Sequence, residues 1–155
     1  MIMCEYEKNP KRILIVDDDL DLLMLLDRRL QKEGYEIETA ASLPEAEEII
    51  ATFSPHLLLL DINVNGEDGR QLCWRLKKSE VYKEMKILIM SGYDFSTGRA
   101  ALFGADSLLP KPLHTDILVH VIAEHLNPKP VNGIDPLLLI KIPKDIHYKL
   151  LADDE

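Results

Sequence analysis

The stretch Leu57-Leu58-Leu59-Leu60-Asp61 restricts more than any other how this chain can fold. Four consecutive leucines leave no polar face, so a strand built from them must be covered on both sides. That is the condition of an interior strand in a parallel sheet. The run stops at a carboxylate and is followed by Ile62-Asn63-Val64-Asn65-Gly66-Glu67-Asp68-Gly69, a short polar loop with two glycines. A buried strand that ends this way delivers one carboxylate, Asp61, to the rim of a sheet.

Similar runs recur along the chain. Ile13-Leu14-Ile15-Val16 is stopped by Asp17-Asp18-Asp19, and a helix follows with Leu22, Leu23, Leu26 and Leu30 on its apolar face, Asp19 as a capping residue and Gly34 past its end. Tyr35 to Ala40 alternates like a second strand, and Ser42 to Phe53 reads as a helix with Ser42 as N-cap and Pro44 and Glu45 in its first turn. After the leucine strand, Glu67 to Lys78 carries Leu72, Cys73 and Leu76 at helical spacing, with Arg75, Lys77 and Lys78 on the solvated face. Lys86 to Met90 is a fourth strand ending in Ser91-Gly92, and a weaker helical stretch runs from Arg99 to Gly104 with Gly98 before it. Asp106 to Leu109 is a fifth strand ending in Pro110-Lys111-Pro112, and Leu113 to Leu126 is the last amphipathic helix.

Strands alternating with helices at short spacing imply parallel pairing through right-handed crossovers, hence an open α/β sheet with helices on both faces. Such sheets bind ligands beyond the carboxyl ends of their strands. The polar residues that end the runs, Asp17 and Asp18, Asp61, Ser91 and Lys111, are therefore expected on one rim. A length of 155 residues suits one domain, expected over residues 11–126 after a polar arm at 1–10. From Asn127 the texture changes to a proline-rich linker and an apolar stretch, Leu137 to Ile142, too short for a second domain and expected to pack on the domain or on a second copy.

The formal charge of -9 argues against direct binding of nucleic acid, which needs a cationic stripe. No apolar run is long enough to span a bilayer and the start lacks a signal peptide's apolar centre, so a cytoplasmic protein without membrane attachment is expected. Cys4 and Cys73 lack metal-ligand spacing and read as free thiols, Cys73 as a packed one. The histidines at 56, 114, 120, 125 and 147 share no spacing, so surface or packing roles are expected of them.

Three carboxylates gathered on one rim repel one another, each close pair by roughly 1 kcal/mol in water and about 4 kcal/mol where partly buried. A hard divalent cation offsets this, and an oxygen-only donor set suits Mg²⁺. With that charge compensated, Asp61 can attack phosphorus, with Lys111 supplying a cation and Ser91 a hydroxyl donor to the transferred group.

These residues in this order resemble the receiver domain of two-component response regulators, the group that includes the single-domain chemotaxis regulator. The resemblance covers about residues 11–126 and rests on Asp17-Asp18, on Asp61 in its leucine run, on Gly66 and Asp68-Gly69, on Ser91 and on Lys111-Pro112. It implies a flavodoxin-like doubly wound sheet of five parallel strands in the order 2-1-3-4-5. It also implies Asp61 as phosphoacceptor, Asp18 as direct Mg²⁺ ligand, Asp17 as ligand largely through water, Asn63 as ligand through its backbone carbonyl, and Ser91 and Lys111 as phosphoryl-binding groups. The expected partners are a sensor histidine kinase or phosphotransfer protein and a downstream protein, with a homodimer possible through the tail or the helix 4–strand 5–helix 5 face. The activity would be that of a signalling switch, limited to self-phosphorylation and self-dephosphorylation. Three positions depart from the family pattern: Asn65 stands where proline is usual and is expected to loosen the turn, Leu108 replaces a customary aromatic switch residue, and Tyr93 is bulky where water access to the acyl phosphate is tuned. Two other functions compete. Val16-Asp17-Asp18-Asp19 also fits a haloacid dehalogenase-type phosphatase with Asp17 as nucleophile, and the third reading is an interaction module that works without phosphorylation.

Overall fold

The apolar runs become strands because their side chains fill two separate layers. In the computed structural model, which describes residues 9–92 and 103–127, Leu14, Val16, Leu58, Leu60, Ile87, Ile89 and Leu108 enter one buried cluster. Their neighbours Ile13, Ile15, Leu57, Leu59, Leu88, Met90 and Leu109 enter the other. Successive side chains of a strand point to opposite faces, so an uninterrupted apolar run feeds both layers at once.

The strands are β1 (Arg12–Val16), β2 (Glu36–Ala40), β3 (Leu57–Asp61), β6 (Lys86–Ser91) and β7 (Ser107–Pro110), all parallel, in the order β2-β1-β3-β6-β7. Counted within this sheet alone, that is the expected order 2-1-3-4-5. The numbering runs to seven because β4 (Asn63–Val64) and β5 (Glu67–Asp68) form a small antiparallel hairpin of their own.

Helix α1 (Leu20–Lys32) covers one face together with α4 (Thr115–Leu126), through Leu23, Leu26 and Leu30 from the first and Leu118, Val121 and Ile122 from the second. Helices α2 (Leu43–Phe53) and α3 (Gly69–Lys78) cover the other, through Ala46, Ile50, Leu72, Cys73 and Leu76. Local chemistry sets the helix ends. Gly34, at φ 98°, closes α1 by donating to the Gln31 carbonyl at 2.9 Å, while Tyr35 N donates to the Leu30 carbonyl at 3.3 Å. This is the paired C-terminal closure that a glycine past the last turn permits.

Two expected boundaries move. The helix expected from Glu67 begins at Gly69, because Glu67 and Asp68 are taken by the hairpin and Asp68 serves as N-cap, accepting from Arg70 N at 2.9 Å. The last helix begins at Thr115 rather than Leu113, beyond the cis peptide Lys111–Pro112. Residues 99–102 of the helix expected from Arg99 to Gly104, Tyr93, most of the arm and the tail from residue 128 lie outside the described residues, while Phe103 and Gly104, at φ 50° and 88°, form a turn. No helix among the described residues is long and apolar enough to cross a membrane.

At the rim opposite the aspartates, His56 links two strands. Its Nδ1 accepts from Arg12 N at 3.0 Å, its own N donates to the Arg12 carbonyl at 2.9 Å, and its carbonyl accepts from Lys86 N at 3.0 Å. Burial, and then the charges of Arg12 and Lys11, hold this imidazole below its ordinary 6.5. A group whose folded value is depressed in this way is protonated first in the unfolded chain, so stability is complete above about 6.5 and falls as pH drops below it. Protonation removes the acceptor for Arg12 N at a cost of about 1 kcal/mol. Urea midpoints measured between pH 7.5 and pH 5 should fall by less in His56→Gln than in the wild type, and an equal fall in both would remove this assignment.

Candidate functional site

Adjacent parallel strands bring the aspartates together. β1 and β3 pair in register from Ile13 with Leu57 to Val16 with Leu60, so Asp17 and Asp61 leave neighbouring strands at the same level. Asp17 is fully buried, Asp61 is 7% exposed and Asp18 faces solvent. One carboxylate oxygen from each of the three lies within 4.8 Å of the others.

Each carboxylate has its own partners. Asp17 Oδ1 accepts from Asp19 N at 2.9 Å, and its Oδ2 accepts from Lys111 Nζ at 2.6 Å. Asp61 Oδ1 accepts from Asn63 N at 3.4 Å, while its Oδ2 is 3.4 Å from the same Lys111 ammonium. Asp18 Oδ2 accepts from Asn65 N at 2.9 Å. Asp19, by contrast, caps α1 through the amides of Asp21 and Leu22 at 3.1 and 3.2 Å.

Burial first, and then the Asp17 charge, push the Asp61 carboxyl up to about 6 against the opposing pull of Lys111. Burial alone would depress the Lys111 ammonium, but its hydrogen bond to Asp17 and the two carboxylate charges outweigh it and raise the group. Three carboxylates against one ammonium leave an excess of negative charge that only oxygen donors surround. Such a donor set fits a hard divalent cation and offers no soft ligand.

β6 and β7 supply the other side. Asp61 lies opposite Met90 in the sheet, which places Ser91 one residue further along, fully buried, with its carbonyl accepting from Lys111 N at 2.7 Å. Thus Asp17, Asp18, Asp61, Ser91 and Lys111 all end strands of one rim, and Asn63 begins the hairpin beside it. Leu108, 4% exposed, packs into the layer under α2 and α3. Burial drives the Cys73 thiol up to about 12, so it is an inert packed side chain.

The loop after Asp61 corrects one expectation. Asn65 and Gly66 have φ of 54° and 82° and form the two-residue connection of the β4–β5 hairpin. Two consecutive residues at positive φ make the mirror-image turn that Asn-Gly favours. The turn is therefore not a loosened version of a proline loop. Besides its backbone bond to Asp18, Asn65 donates from Nδ2 to the Ala41 carbonyl at 2.9 Å, tying the hairpin to the start of α2. Gly69, where α3 begins, lies against the end of β3, and its N donates to the Ile62 carbonyl at 2.8 Å.

A strand-end aspartate cluster with a lysine bridging two of its members, on a sheet of this order, has clear counterparts. The model of the response regulator receiver domain matches residues 13–123. The chain belongs to the response regulator receiver domain family. The receiver is 35% identical over 112 residues to the response regulator MprA of Mycolicibacterium vanbaalenii, a match over 71% of this chain and 48% of that protein. The chain thus spans about half the length of the curated relatives it matches. Among solved structures, the signal receiver domain of a response regulator from Bermanella marisrubri is 32% identical, with a TM-score of 0.68 over 77% of this chain and 100% of that one. The response regulator protein TrrA from Thermotoga maritima, in complex with Mg²⁺-BeF, is 32% identical, with a TM-score of 0.67 over 75% of this chain and 99% of that one.

Proposed function

We propose that Asp61 is the phosphoacceptor of this receiver and that it takes its phosphoryl group from the phosphohistidine of a sensor kinase or phosphotransfer protein in the cytoplasm. The observation that carries the reading is the position of Asp61 Oδ2, 3.4 Å from the Lys111 ammonium on a rim shared with Asp17 and Asp18. An Asp61 oxygen forms the new bond to phosphorus as the bond from phosphorus to the imidazole nitrogen breaks, and the freed imidazole takes up a proton. A carboxyl held at about 6 is mostly ionised at neutral pH and can act as the nucleophile. Lys111 is close enough to turn from Asp17 toward a new anion on Asp61, and Ser91 offers a hydroxyl at the end of the next strand.

Asp17, Asp18, Asp61 and the carbonyl of Asn63 are the groups we assign to hold Mg²⁺. The ion would supply positive charge to the transferring phosphoryl oxygens. The Mg²⁺-BeF complex of the Thermotoga maritima relative supports the assignment by likeness. Asp17 is a poorer nucleophile than Asp61, because it is fully buried and its oxygens are held at 2.9 and 2.6 Å, whereas both contacts of Asp61 are at 3.4 Å. The consequence of phosphorylation is a shift between two conformations read by a downstream protein. Leu108, packed in the core, offers no aromatic ring for that readout.

Incubation with a small acyl phosphate and Mg²⁺, followed by intact mass measurement, tests the assignment. The wild type should gain one phosphoryl group and Asp61→Asn none. A modified Asp61→Asn protein, or an adduct mapped to Asp17, would favour the phosphatase-like chemistry instead. Size-exclusion before and after the reaction reports any change in assembly.

A further inference from the structure

Asn65 is the residue that no catalytic role absorbs, and one of its two hydrogen bonds reaches a carboxylate of the site. Its backbone N–H donates to Asp18 Oδ2 at 2.9 Å, and its side-chain amide donates to the Ala41 carbonyl at 2.9 Å. The first contact spans from the β4–β5 hairpin to the end of β1, and the second from that hairpin to the segment before α2. Both depend on the left-handed backbone of Asn65, at φ 54°, followed by Gly66 at φ 82°. Proline can satisfy neither condition, since its ring fixes φ near -65° and it has no N–H to donate.

Asp18 has reason to need such a tether. Unlike Asp17 and Asp61 it faces solvent, and no cation reaches it among the described residues. A solvent-facing carboxylate without a partner samples several rotamers, and ordering it on binding a cation costs side-chain entropy. A hydrogen bond to one oxygen removes much of that freedom beforehand and leaves the other oxygen for the cation. We infer that Asn65 is a positioning residue: its backbone N–H holds Asp18 in place for a divalent cation, and its side chain fixes the hairpin that presents this N–H. The inference rests on the proposed metal role of Asp18.

Partners that orient metal ligands are typically worth ten- to a hundredfold in affinity. Mg²⁺ alone, titrated against the full chain in the absence of phosphoryl donor, should bind about tenfold more weakly to Asn65→Pro than to the wild type. Asn65→Gly keeps both the N–H and the positive φ and loses only the side-chain bond to Ala41, so its binding should weaken by no more than about threefold. Equal binding by Asn65→Pro and the wild type, or an equal loss in Asn65→Gly, would overturn the inference. A metal-free measurement covers the case in which Asn65→Pro does not fold. The amide proton of Asn65 should exchange slowly in the wild type and at least about tenfold faster in Asp18→Ala, and unchanged exchange would show that Asp18 is not its acceptor. Failure of the underlying reading looks different: wild-type protein that binds no Mg²⁺ removes the metal role of Asp18 whatever the Asn65 variants do.

Discussion

Gly69→Ala should unfold at markedly lower urea, with a loss of about 3 kcal/mol in stability, although it adds one methyl group. A Cβ built on Gly69 would lie 2.3 Å from the backbone carbonyl oxygen of Asp61 and 3.3 Å from the Leu60 side chain. The first distance is far inside van der Waals contact, and the atom it meets belongs to the backbone of β3, which pairs with β6 at Asp61 and with β1 one residue earlier. No rotamer change relieves the clash. Either α3 moves off the sheet, breaking the 2.8 Å bond from Gly69 N to the Ile62 carbonyl, or the end of β3 moves and carries the carboxylate of Asp61 with it. Gly92→Ala provides the contrast, since nothing among the described residues lies within 4 Å of its Cβ position and its change should stay within about 0.5 kcal/mol. Equilibrium urea unfolding of both variants decides the matter. A Gly69→Ala protein within 0.5 kcal/mol of the wild type would mean that the helix and strand ends adjust freely, and that Asp61 is not held as firmly as this contact implies.

That contact also shows where sequence reasoning stops. β1, β3 and β6 were legible because each is a short apolar run closed by a polar residue, as befits a strand buried on both faces, whereas β2 was legible from its alternation and β7 from Leu108-Leu109 before Pro110-Lys111-Pro112. The shared rim followed from parallel pairing, since parallel strands end on one side, while the strand order that makes Asp17, Asp61, Ser91 and Lys111 neighbours was implied by the resemblance to receiver domains. Helix ends were legible where the chemistry is local, as with Ser42, Asp19 and Gly34. The β4–β5 hairpin was not read, although Asn65-Gly66 is a strong turn signal. The proline usual at this position in the family masks that signal, because Asn-Gly specifies a positive-φ turn that proline cannot form. Gly69 is a different kind of miss. Its requirement comes from a backbone oxygen eight residues earlier in the chain, which only the packing of α3 on β3 brings near.

Lys111→Met should separate the two roles of the site by moving them in opposite directions. Among the described residues Lys111 is the cation that joins the carboxylates, 2.6 Å from Asp17 Oδ2 and 3.4 Å from Asp61 Oδ2. Without it Asp17, whose side chain is 1% exposed, has no cationic partner among the described residues. The carboxyl of Asp61, already pushed up to about 6 by burial and by Asp17, rises further. A carboxylate with a raised folded value destabilises the fold as pH climbs from its unfolded 3.8 through that value, so the metal-free variant should lose about 2 kcal/mol at neutral pH and little at pH 4. Mg²⁺ should then stabilise the variant more than the wild type and bind about tenfold tighter, because the ammonium that competes for the same oxygens is gone. Phosphoryl acceptance should fall by about a hundredfold, since the cation proposed to meet the transferred group is absent. A residue that only held the fold together would weaken metal binding and phosphoryl transfer together. Tighter Mg²⁺ binding with slower phosphorylation is the outcome that assigns Lys111 to the phosphoryl group, and a parallel loss of both would return it to a structural salt bridge.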